Sequence, residues 1–187
     1  MRLWSIPSLV LTLLTFSAFS LSNDGVEDLD KAPSLDGKKD LLTIVGKVVY
    51  DKDRIEGCSV KVYQGNDLIH DMVTSKSGKY EAELEIGHQY MFHFQKEGYL
   101  NKMFAVDAEN NIPKHHNGFP AYPVNVIMIP MERFTGVDMD HLEFPFALVR
   151  YSKRMQMFDN DPKYTQNMKR AISAAMLQSG RLAREED

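Results

Sequence analysis

At 187 residues, 43% hydrophobic and 26% charged, the chain has ordinary globular statistics and room for one domain with a normal core. Its formal charge of −4, from 22 basic and 26 acidic side chains, argues against nucleic acid as a partner, because phosphate binding needs a dense basic surface. The single cysteine excludes an internal disulfide.

The N-terminus carries Arg2, an apolar run from Leu9 to Phe19, and small residues at Ala18 and Ser20. This is the anatomy of a secretory signal peptide over residues 1–20, with cleavage expected after Ser20. The run is broken by Ser and Thr and is shorter than the ~20 apolar residues of a spanning helix, so a retained anchor is the weaker alternative. Export to the periplasm, the envelope or the medium is therefore expected. Residues 21–40 are rich in acid, Gly and Ser and poor in aromatics, the composition of a flexible leader.

Residues 41–131 alternate apolar and polar side chains with period two between turn clusters, which predicts an antiparallel β-sandwich. The expected strands are Leu42–Tyr50, Ser59–Tyr63, Leu68–Val73, Lys79–Ile86, Gln89–Gln95, Tyr99–Asp107 and Tyr122–Met131. Asp51 to Arg54, Gly65-Asn66, Ser75 to Lys79, Gly87-His88 and Glu97-Gly98 supply turns. In the fourth strand Tyr80, Ala82, Leu84 and Ile86 form a dry face against Lys79, Glu81, Glu83 and Glu85. Seven strands at this spacing favour a sandwich over a barrel or a parallel sheet.

Residues 132–187 depart from this pattern. Leu142 to Tyr151 is an apolar extended run whose Pro145 suits an edge strand or covering loop. Asp161-Pro162 then has the form of an N-cap followed by proline at the first helical position, and Gly180 that of a stop signal. Tyr164, Met168, Ala171, Ile172, Ala175 and Met176 share one helical face. That face is expected to pack on the sandwich; presenting Met168 and Ile172 to a partner protein is the alternative.

No reactive constellation emerges, so no catalytic residue, cofactor or metal is expected. Cys58 is expected to be a half-buried thiol at a strand edge. His115 and His116 are adjacent in a loop, where extended neighbours point apart, and have no third ligand at zinc spacing. The pairs Asp138/Asp140 and Asp159/Asp161 lack the glycine turn and distal glutamate of an EF-hand. No phosphate loop, nucleophile elbow or zinc-protease helix is present.

Gly46-Lys47-Val48, the segment Glu56 to Val62, the T-x-x-x-G-x-Y turn from Thr74 to Tyr80, Tyr90 and Gly98-Tyr99 resemble the carboxypeptidase regulatory-like, transthyretin-like β-sandwich family. The resemblance covers about Leu42 to Asp107. It implies a seven-stranded transthyretin- or Ig-like sandwich with a C-terminal helix, in a stand-alone secreted form from a Gram-negative envelope. The family is one of accessory and interaction domains, and the motifs are turn glycines and core aromatics that mark a fold better than a function. Transthyretin-like hydrolases end in Tyr-Arg-Gly-Ser, whereas this chain ends Arg184-Glu185-Glu186-Asp187. Related surface domains form a Lys-Asn isopeptide bond; Lys47 and Asn125, with Glu81, Glu83 or Glu85, are loosely placed for one. The glutamates share the strand's wet face, which disfavours it.

The expected function is thus a non-enzymatic binding or structural module that contacts envelope proteins. Carbohydrate or peptidoglycan binding is the alternative, with Tyr99, Phe119 and Tyr122 as stacking rings.

Overall fold

The computed structural model describes residues 40–138 and 142–185. The expected signal peptide, and the leader up to residue 39, lie outside them. The strands are β1 (Leu41–Tyr50), β2 (Asp53–Arg54), β3 (Ser59–Gln64), β4 (Asp67–Val73), β5 (Lys79–Glu85), β6 (Gln89–Gln95), β7 (Lys102–Asp107), β8 (Tyr122–Pro123), β9 (Val126–Ile127), β10 (Ala147–Ser152) and β11 (Met157–Asn160). A 3-10 turn at Met131–Phe134 precedes β10, and helix α1 (Pro162–Glu185) follows β11.

Two mixed sheets result. In the first, β1 pairs antiparallel with β5 and with the short β2, and parallel with β8 and β9. In the second, the order is β11-β10-β7-β6-β3-β4, antiparallel throughout except for β10 beside β7. The expected seven antiparallel strands are therefore corrected to 11 strands in mixed sheets among the described residues. Three local causes account for the difference. Pro123 has no amide to donate, and Tyr122 to Met131 meets β1 only as two short parallel contacts, Ile44 with Tyr122 and Val48 with Val126. Phe146 N–H donates to Met103 O at 2.7 Å, and this brings the following strand alongside β7 in the same direction. Finally, β11 occupies the outer edge, so β10 is an interior strand and Pro145 lies just before it.

The alternation read from the sequence does set the core. Leu42, Ile44 and Val48 of β1, Val60 and Val62 of β3, Ala82 and Leu84 of β5, and Phe92 and Phe94 of β6 are buried between the sheets. Phe92 stacks on Phe104 of β7 with centroids 4.4 Å apart. The T-x-x-x-G-x-Y motif proves structural at each position. Thr74 is buried, its hydroxyl donating to Ile55 O at 2.8 Å and accepting from Cys58 N–H at 3.0 Å. Gly78 has φ +65, and a Cβ there would meet Val48 O at 2.7 Å. The Tyr80 hydroxyl donates to Val124 O at 2.6 Å and so ties β5 to the segment between β8 and β9. Gly46 lies under the same joint, where a Cβ would fall 1.9 Å from Val124 O.

Helix α1 starts as expected. Pro162 opens it, and Asp161 caps it by accepting from Tyr164 N–H at 3.0 Å. It does not stop at Gly180. Glycine costs only about 1 kcal/mol within a helix, and Ser179 and Leu182 on either side still pack: the Ser179 hydroxyl donates to Thr135 O at 3.0 Å, and Leu182 lies beside Gly136. The inner face of α1 brings Ile172, Ala175 and Met176 onto a second small core of Leu100, Phe134 and Leu142.

Candidate functional site

At the seam between the two cores, the end of β6 (His93, Gln95), the segment Tyr99 to Met103, Met131 and Leu142-Glu143 line a half-open cavity of about 400 Å³. Its walls are mixed. Leu100 and Leu142 come from the small core, Tyr99 packs edge-on against Tyr50 with centroids 5.8 Å apart, and Gln95 and Asn101 carry neutral amides.

Lys102 is the unusual member. It stands in phase with Phe104 and Val106 on the buried face of β7 and is only 9% exposed. Its ammonium lies 5.3 Å from the centroid of the Phe146 ring, a cation–π contact. Among the described residues the ion pairs are His116–Asp40 and Arg150–Asp161, so no described carboxylate pairs with Lys102. Burial lowers its pKa to about 8, since an apolar surround disfavours the charged form. Burial also lowers the pKa of His93. The sequence contained a signal for Lys102: a lysine in phase with Phe104 and Val106 breaks the dry face of a strand. Asn101 and Glu143 carried no such signal, because only the folding of 142–143 over the β6–β7 end brings them there.

The residues singled out from sequence are dispersed. Tyr99 lines this cavity but is half-buried. Phe119 is 9% exposed and sits among His116, Tyr151 and Phe158, so it has no free face for stacking. Tyr122 is half-buried beside Ile44, whereas Tyr99 lies against Tyr50. Those two positions are six steps apart along β1, about 20 Å at strand rise. Met168 is half-buried on α1, and Ile172 packs on the small core.

Other candidates resolve simply. Cys58 is fully buried rather than half-buried at an edge, and burial pushes its thiol up to about 11, which makes it a poor nucleophile. Asp140 lies outside the described residues. Asp161 is used as a helix cap and pairs with Arg150 at 2.6 Å. Lys47 N–H donates to Asn125 Oδ1 at 3.1 Å, but Glu81, Glu83 and Glu85 are exposed and supply no buried acid for an isopeptide bond. Among the described residues no three His, Cys, Asp or Glu side chains converge as a metal site. No described helix is long and apolar enough to cross a membrane.

A different feature lies at the free edge of the larger sheet. Among the described residues β4 pairs only with β3, and it exposes Leu68 (47%), Ile69 (38%) and Val73 (66%). A register shift between Val62 and Tyr63 bends the pairing next to Leu68. His70 Nε2 lies 3.0 Å from Glu83 O, which sets the acidic row Glu81, Glu83 and Glu85 of β5 beside this edge.

No protein-family model matches the chain, and no curated protein matches it. Among solved structures, it is similar to a DUF3823 family protein from Parabacteroides merdae at 18% identity, with 50% of this chain and 48% of that one covered and a TM-score of 0.36. It is similar to a hydroxyquinol 1,2-dioxygenase from Pseudomonas putida at 10% identity, covering 50% and 58%, with a TM-score of 0.36. It is also similar to a catechol 1,2-dioxygenase from Acinetobacter radioresistens at 16% identity, covering 50% and 53%, again with a TM-score of 0.36. The chain spans about half the length of these proteins.

Proposed function

We propose that the chain is a non-enzymatic binding module of the cell envelope that takes up an extended segment of a partner protein along the β4 edge. The observation that carries this reading is the row of Leu68, Ile69 and Val73 exposed on a strand with one side unpaired among the described residues. Edge strands are ordinarily shielded by charge, proline or a covering element, since their free N–H and C=O groups template pairing with another strand. An added strand uses those groups for affinity and its alternate side chains for specificity. Asp67 and Asp71 on β4, next to the glutamate row of β5, favour a basic partner segment. The resemblance to carboxypeptidase regulatory-like interaction domains and the signal-like N-terminus agree with this reading. Glycan binding has less support, because its three rings are buried or spread along the sandwich.

A photo-crosslinking residue at Val73, in cells, should capture one envelope protein reproducibly. The same residue at Leu177, exposed on α1, should not, and Ile69→Lys should abolish capture while leaving the melting temperature unchanged. Capture that is equal from Val73 and Leu177, or indifferent to Ile69→Lys, would remove the edge as the docking site.

A further inference from the structure

We propose that the cavity beside Lys102 binds a small ligand with one carboxylate on an apolar body, the carboxylate pairing with Lys102 and the body lying along Leu100 and Leu142. This is independent of the β4 edge, which belongs to a different strand of the sheet.

The argument starts from an imbalance. A lysine only 9% exposed as a residue, with no described carboxylate partner, stands where a methionine of similar length would pack at lower cost. The Phe146 ring offsets part of that cost but brings no negative charge. An anion entering the cavity would complete the pair in a place where water competes weakly. Gln95 and Asn101 are neutral and can donate side-chain N–H groups to a second carboxylate oxygen. Glu143 is the opposing charge on the wall; it is exposed, so solvent screens it, yet it disfavours ligands with two negative charges. A volume of about 400 Å³ suits a small ligand and falls within the roughly 300–1,000 Å³ of ligand pockets. The apolar walls supply burial for a hydrocarbon or aromatic body.

The test uses octanoate, with octan-1-ol as its uncharged counterpart, followed by amide chemical shifts of the full chain. Octanoate should shift Leu100, Met103 and Glu143 saturably, bind at least tenfold tighter than octan-1-ol, and lose that advantage in Lys102→Met. Equal binding of acid and alcohol, equal octanoate affinity in wild type and Lys102→Met, or shifts confined to other regions would overturn the proposal. Should Lys102→Met fail to fold, reductive methylation of the wild-type protein decides. Saturating octanoate should slow modification of Lys102 at least fivefold, by peptide mass mapping, while Lys76 and Lys114 react unchanged. Absence of protection at Lys102 would sink the idea.

Discussion

The two cores of this protein are built by different rules. Between the sheets, β1, β3, β5, β6 and β7 each contribute alternate side chains, and Phe92, Phe94, Phe104, Leu84 and Val126 are fully buried. The C-terminal core has Leu100, Phe134 and Leu142, each from a separate loop or turn, covered by half-buried Ile172, Ala175 and Met176 of α1. A hydrogen-bonded sheet holds many side chains in place at once, so one residue's packing is supported by its neighbours on both strands. The helix cover rests on few contacts, among them the Ser179 bond to Thr135 O. The larger core should therefore report global unfolding, and α1 should open locally at lower free energy.

Substitutions can break or sharpen this contrast. The largest effect is expected for Phe92→Ala, which leaves a cavity among stacked rings and should destabilise the fold by about 3–5 kcal/mol in denaturant unfolding.

Lys102, at the seam between the cores, should show the opposite sign. Its folded pKa of about 8 lies below the ordinary 10.5, so between those values the unfolded chain holds the extra proton and stability rises with pH. Below pH 8 the burial cost is fully present, on the order of 3 kcal/mol at 1.36 kcal/mol per pKa unit. Lys102→Met should be more stable than wild type by up to that amount at pH 7, and the gain should fade as pH rises from 8 to about 10.5. A gain constant across that range would show that packing, not charge, is responsible.

Gly46→Ala forces a Cβ toward Val124 O and the Tyr80 ring. A loss of roughly 1–3 kcal/mol is expected from such overpacking, with faster amide exchange in β8 and β9. Ile172→Ala should cost about 2 kcal/mol, the low end for truncating a buried aliphatic side chain, and should accelerate exchange in α1 without changing it in β6. Equal acceleration in both would mean that the cores unfold as one unit. Leu177→Ser, on the exposed side of α1, should change stability by less than ~0.5 kcal/mol.

Much of the first core was legible because period-two patterning is local. Tyr80, Ala82 and Leu84 are buried against exposed Lys79, Glu81 and Glu83 as their order implies. The helix start at Asp161-Pro162 was legible for the same reason, since a cap acts within one turn. Gly180 misled because its cost is small against tertiary contacts of Ser179 and Leu182. The strand from Tyr122 to Met131 was over-extended because Pro123 and the pull of β1 broke it into two short pairings. The candidate cavity was largely illegible: of its walls, the sequence marked Tyr99, for sugar stacking rather than for packing on Tyr50, and Lys102 only as a break in the dry face of β7.

By itself the sequence determined which face of each main strand avoids water and where α1 begins, because both depend on residues within a few positions of one another. Only the tertiary structure decided that β10 runs parallel to β7, that β4 lies at a sheet edge among the described residues, and that Lys102 is buried beside Leu142 and Phe146. These outcomes turn on which distant segments meet, a competition of loop closure and shared burial that no local pattern encodes.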